Sequence, residues 1–213
     1  MTDGTSGMSM TQEPETQTVI NHVKAYWTML VSSIISITAS LVLSVDAIAL
    51  AKNPDSALSC NINSVISCGK VAVSWQSNLL GFPNSFLGLI CEPVVITLAV
   101  SALGGARFPK WFMRSALAVY FAGLLFAGWL FSQSYFVIGA FCPWCLLVTT
   151  STITVFSSML RINVLDGNLP ISEKLSATLT KRMLAGWDTV AVAGIFSILA
   201  IAIMAKYGNY ILH

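Results

Sequence analysis

Charge is what this sequence has least of. Asp, Glu, Lys and Arg make up 9% of the 213 residues, where a soluble domain carries roughly 25%. With 55% hydrophobic residues and a mean hydropathy of +0.76, too little polar surface remains to cover a globule in water, so the chain reads as an integral membrane protein. Histidine is nearly missing as well. The two that occur, His22 and His213, sit near the termini, which excludes a Ser-His-Asp hydrolase among the helices and any histidine-built metal centre. The sequence holds no GxxxxGK[ST] phosphate loop, no basic run suited to nucleic acid, no internal repeat and no appended soluble domain. Five cysteines remain to carry chemistry: Cys60, Cys68, Cys91, Cys142 and Cys145.

Long apolar runs organise the chain. Residues 1–24 are polar and read as a disordered tail. The first apolar run, about 26–51, is long enough to span hydrocarbon. Although Ala49-Leu50-Ala51 resembles a cleavage site, the run is longer than a signal core and carries Asp46, so it reads as a transmembrane helix. Residues 52–83 form a mixed, turn-rich loop holding Cys60 and Cys68, with a short amphipathic helix expected over Val71–Leu80. Further spans cover about 84–103, 111–137, 142–160 and 187–205, with a polar loop over 161–186. The domain reading is thus a tail, a four-helix catalytic unit over 25–160, a loop, and a fifth helix with its short tail to residue 213.

Lysine and arginine set the expected orientation. With the N-terminus inside, Lys24, Arg107, Lys110, Arg114, Arg161, Lys174, Lys181 and Arg182 face the cytoplasm, and only Lys52, Lys70 and Lys206 lie outside. That bias sends the Cys60/Cys68 loop and the Cys142/Cys145 helix start to one extracytoplasmic face, where disulfides persist. Cys142-Pro143-Trp144-Cys145 puts two thiols on one face of a first helical turn, with Pro143 suited to the first helical position and the helix N-terminus favouring a thiolate. Two dithiols on one face suggest a relay by thiol–disulfide exchange. One fixed at the bilayer edge can hand its electron pair to a lipid-soluble quinone. Proton balance agrees, since dithiol oxidation releases two protons and quinone reduction takes up two. The bland alternatives are a static loop disulfide, buried inert thiols, or a thiolate metal site. Cys91 reads as a small hydrophobe, Glu92 as a structural partner beside Pro93, Asp46 as reaching the interface, and Asn84 as a helix cap, a ligand group, or both.

Over residues 26–160 the sequence resembles the vitamin K epoxide reductase family. The resemblance rests on Cys60-x7-Cys68, Ser74-Trp75, Asn84-Ser85-Phe86-Leu87-Gly88 and Cys142-Pro143-Trp144-Cys145, in that order and spacing. The order differs from DsbB-type oxidases, where the quinone-proximal pair comes first. The resemblance implies an all-α membrane protein, a four-helix bundle around a quinone site with a fifth transmembrane helix added. It implies that Cys145 faces the quinone, that Cys142 exchanges with the loop, and that Cys60 and Cys68 form the shuttle. Asn84, Ser74, Trp75, Phe86 and Thr149 become the expected quinone-binding residues. Thr149 stands where vertebrate members carry tyrosine. Many bacterial members also fuse a thioredoxin-like domain after the fifth helix, whereas this sequence ends at His213. The expectation is therefore a disulfide-generating oxidase of the bacterial inner membrane. It would take electrons from a separate periplasmic DsbA-like protein and deliver them to a menaquinone-, ubiquinone- or phylloquinone-type acceptor. A vitamin K epoxide or quinone reductase serving another physiological end is the alternative. No metal and no nucleic acid are expected.

Overall fold

The computed structural model describes residues 12–211, apart from Ala57, Ser59 and Ser64. Seven α-helices follow in order among them: α1 (Gln12–Lys52), α2 (Cys68–Ala72), α3 (Ser85–Leu103), α4 (Lys110–Gln133), α5 (Pro143–Leu165), α6 (Glu173–Leu184) and α7 (Trp187–Ile211). A 3₁₀ turn over Trp75–Asn78 follows α2, and a π-helical turn over Ser134–Ile138 extends α4. Five of these elements are long and apolar enough to cross a membrane. Their outward faces show why: Trp111, Leu125, Val190, Ile198 and Ile201 are all exposed, which is tolerable only where lipid is the solvent.

Two stretches differ from expectation. The disordered tail expected over 1–24 is helical from Gln12 onward, while Met1–Thr11 lie outside the described residues. Pro14 falls in the first turn, where its missing N–H has no intrahelical partner to lose. At about 60 Å, α1 is twice the hydrocarbon thickness of ~30 Å and so projects from the membrane. The polar loop over 161–186 is instead the end of α5 followed by α6. Charge favours α6, with Glu173 in its first turn and Lys181 and Arg182 in its last, matching the helix dipole. Arg161, the first residue past the expected fourth span, lies within α5 and pairs with Asp188 of α7 at 3.3 Å.

The bundle itself is α1, α3, α4 and α5, with α1 lying between α3 and α5, and α4 packed on α5. Ser33, Ser36, Ser40 and Ser44 put small, buried side chains along one face of α1, as close helix packing in lipid requires. Gly88 of α3 sits against this row: a Cβ there would come within 2.1 Å of Ser40 Oγ. At the end away from the cysteines, Met29, Val95, Leu98, Ala99, Met113, Val155, Met159 and Ile162 close a continuous core.

α7 packs on α5 from outside the bundle and reaches the cysteine end with its last turns. There Tyr207 meets Phe141 edge-on at 4.9 Å and Tyr135 at 6.1 Å, and Lys206 donates to the Tyr135 carbonyl. Tyr135 returns a hydroxyl bond to the Ala202 carbonyl at 3.3 Å.

Candidate functional site

Local chemistry builds the Cys142 corner. The π-helical turn closes at Gly139, whose φ of +66° is left-handed and open to glycine without steric cost. The chain then reverses into Ala140-Phe141. Phe141 forms a short parallel bridge with Ile66 of the cysteine loop, its N–H donating to Val65 O at 2.7 Å and its carbonyl accepting from Ser67 N at 3.0 Å. This bridge lashes the loop to the start of α5. Cys142 is the N-cap of that helix, Pro143 takes the first turn as expected, and the Cys145 N–H donates to Cys142 Sγ at 3.3 Å.

Cys142 precedes the fourth span, and its thiol is held below the ordinary thiol range. The largest cause is a hydrogen bond from the Cys145 thiol, helped by the N–H groups of Cys145 and Trp144; burial and the charge of Asp46 oppose it. A thiolate at a helix N-terminus is the expected result.

Cys60 and Cys68 are joined in a disulfide, while Cys142 and Cys145 are free. Cys60, Cys68 and Cys142 belong to one buried cluster with Leu58, Val71 and Ala140, and Cys145 packs against it. The loop is also held from within. Asn61 Oδ1 accepts from Gly69 N at 2.9 Å and from Ser67 Oγ at 3.1 Å, and Ser67 Oγ caps α2 at Lys70 N. The amphipathic helix expected over 71–80 is broken into α2 and the 3₁₀ turn.

Beneath the sulfur cluster lies a cavity of about 230 Å³, enclosed by α1, α3, α4, α5 and the loop. Cys68, Cys142 and Cys145 line one part of it and Glu92 and Tyr120 another, with Leu43, Val119, Phe126 and Leu130 among its apolar walls. Of the five expected quinone-binding residues, Asn84 and Thr149 line the cavity, whereas Ser74, Trp75 and Phe86 do not.

Asn84 holds the N-cap position of α3 without making a cap bond. Its amide instead donates to the Gln76 carbonyl at 2.7 Å, which leaves Oδ1 buried with no hydrogen-bond partner. Thr149 Oγ1 donates to Cys145 O at 2.9 Å, so only its lone pairs are left for a ligand. Ser74 donates to Val71 O at 2.6 Å, Trp75 lies 6.1 Å from Trp129 on the exposed side, and Phe86 stacks on Phe82.

Sequence reasoning overlooked Gln76 and Ser77, which line the cavity; Gln76 is buried and reaches Gln133 at 3.4 Å. A glutamine inside an otherwise amphipathic stretch was the available signal. Glu92, 4% exposed, accepts a hydrogen bond from Tyr120 at 3.0 Å, so its partner is a side chain from α4.

A largely apolar cavity, a buried acceptor without a partner and a thiol pair in the wall suit an apolar ring that bears hydroxyl donors. What fold and site define together is a membrane-embedded dithiol oxidoreductase. The model of the vitamin K epoxide reductase family matches residues 27–160, and the chain belongs to that family. It is accordingly a multi-pass membrane protein and an oxidoreductase linking thiols or disulfides to quinone. No curated protein matches the chain.

Proposed function

We propose that the protein generates disulfides, passing electrons from a soluble thioredoxin-fold partner of the DsbA type to quinone. The partner's dithiol reduces Cys60–Cys68. The loop thiols reduce Cys142–Cys145 by exchange, and this second pair reduces the quinone. Each transfer moves two electrons. The two protons released by the partner dithiol balance the two taken up by the quinone. A quinone held against Cys145 would supply the electron sink; Asn84 Oδ1 and Thr149 Oγ1, left here as acceptors, would take hydrogen bonds from the hydroxyls of the reduced ring. Cys142 at the head of α5 is suited to receive the loop's attack and to leave as thiolate.

The observation that carries this reading is the shared burial of Cys60, Cys68 and Cys142 above the cavity. Lysine and arginine placement supports an extracytoplasmic sulfur cluster with the N-terminus inside, as in a bacterial inner membrane. Oxidation is favoured as the direction because such a compartment is oxidising.

The test is a trap. In a Cys145→Ala variant the resolving thiol is gone, so Cys142 should be found disulfide-bonded to a loop cysteine by mass spectrometry of unreduced peptides. Absence of a bond from Cys142 to either Cys60 or Cys68 overturns the relay.

A further inference from the structure

Asp46 has no task in the relay as described. It lies near the outer end of α1, half-buried, and one carboxylate oxygen is 3.7 Å from Cys60 Sγ. Its charge also acts on Cys142. Neither ion pair among the described residues involves it. The titratable groups around it are few. The loop brings Cys60 and the exposed Asp55, α2 brings Cys68 and the exposed Lys70, and α5 brings Cys142 and Cys145. Lys52, on its own helix, is exposed, and Cys91 and Glu92 of α3 lie further along the bundle. A carboxylate within a span is a functional group by default. This one has no counter-ion and touches a reacting sulfur.

We infer that Asp46 is the proton acceptor for Cys60 in the step that re-forms the loop disulfide; the inference rests on the relay proposed above. Before that step Cys68 is bonded to Cys142 and Cys60 is a thiol. The Cys60–Cys68 bond forms as the Cys68–Cys142 bond breaks. Cys142 leaves with the bonding pair as a thiolate, and the Cys60 proton passes to Asp46. One disulfide replaces another, so no net oxidation occurs, and the single negative charge moves from Asp46 to Cys142. That transfer has a second effect. A charged Asp46 opposes a thiolate on Cys142, and protonating it removes the opposition just as the thiolate appears. One carboxylate therefore activates the attacking sulfur and admits the leaving one.

The experiment needs only the full chain and a quinone. Protein reduced with dithiothreitol, freed of it and mixed with one equivalent of a short-chain ubiquinone analogue is quenched with N-ethylmaleimide over time, and its disulfides are mapped. In Asp46→Asn, the Cys68–Cys142 species should accumulate and Cys60–Cys68 closure should slow by on the order of 10²-fold at pH 7. The deficit should shrink as pH rises toward the free-thiol range near ~8.5, and Asp46→Glu should recover part of the rate. Closure at the wild-type rate in Asp46→Asn, or a deficit equal at every pH, overturns the inference while leaving the relay standing. A wild-type protein in which Cys142 bonds Cys60 instead of Cys68 overturns the inference alone, and one in which Cys142 bonds neither loop cysteine overturns both.

Discussion

The two ends of this bundle are built to opposite rules. At one end Met29, Met113, Met159 and Ile162 fill the space between helices. At the other, apolar walls carrying a few sulfur, hydroxyl and amide groups surround an open volume, and order comes from lashings: the Ile66–Phe141 bridge, the Asn61 brace of the loop and the Tyr207 clamp. Helices that must hold a lipid-soluble substrate cannot also be close-packed around it. The closed core lies away from the sulfur cluster, and the cysteine end is held by few, specific contacts, which suits the opening of the loop disulfide proposed above. Local stability differing across one fold is the general pattern for such sites.

That contrast can be broken by experiment. The largest effect on folding should come from Met159→Ala in the closed core. Truncating a fully buried methionine costs about 2–5 kcal/mol, which should appear as a lower unfolding midpoint in detergent, with thiol oxidation per folded molecule unchanged. Loss of turnover without loss of stability would show that the two ends are not separate. A smaller effect is expected from Tyr207→Leu at the cysteine end, which keeps an apolar side chain in that buried place. The edge-on ring contacts it removes are worth about 0.5–1.5 kcal/mol each, so the midpoint should move little. Exchange between Cys142 and the loop should slow instead, because Phe141 loses the ring that holds it. Smallest, and purely local, is a pH effect. With the Cys142 thiol below its ordinary range, its alkylation by iodoacetamide should rise and level off at lower pH than that of a free cysteine. With both proteins fully reduced beforehand, replacing Cys145 with Ala removes the thiol hydrogen bond that is the main cause, and should shift the profile back upward.

Much of the architecture was legible because lipid imposes a simple rule. Apolar runs over 26–51, 84–103, 111–137, 142–160 and 187–205 anticipated α1, α3, α4, α5 and α7 to within a few residues, save for the extension of α1 to Gln12, of α5 to Leu165 and of α7 to Ile211. Pro143 at the head of α5 was legible for the same local reason that it works there. α6 escaped because a short polar amphipathic helix gives no hydropathy signal. Asp46 was expected at the interface, since its position along α1 is near the helix end; its contact with Cys60 depends on how the loop folds back. The Tyr207 clamp was equally invisible. It joins residues more than sixty positions apart, through ring geometry that no periodicity encodes.

Alone, the sequence determined which segments enter the membrane, where α5 starts, and that four cysteines are available as two pairs, because hydropathy and helix-capping act over one turn or one span. The tertiary structure decided that three of those sulfurs share one buried cluster, that an aspartate touches it, and that a cavity opens beneath. Those outcomes come from loop closure and side-chain packing between distant segments, and such contacts have free energies only once the helices have met.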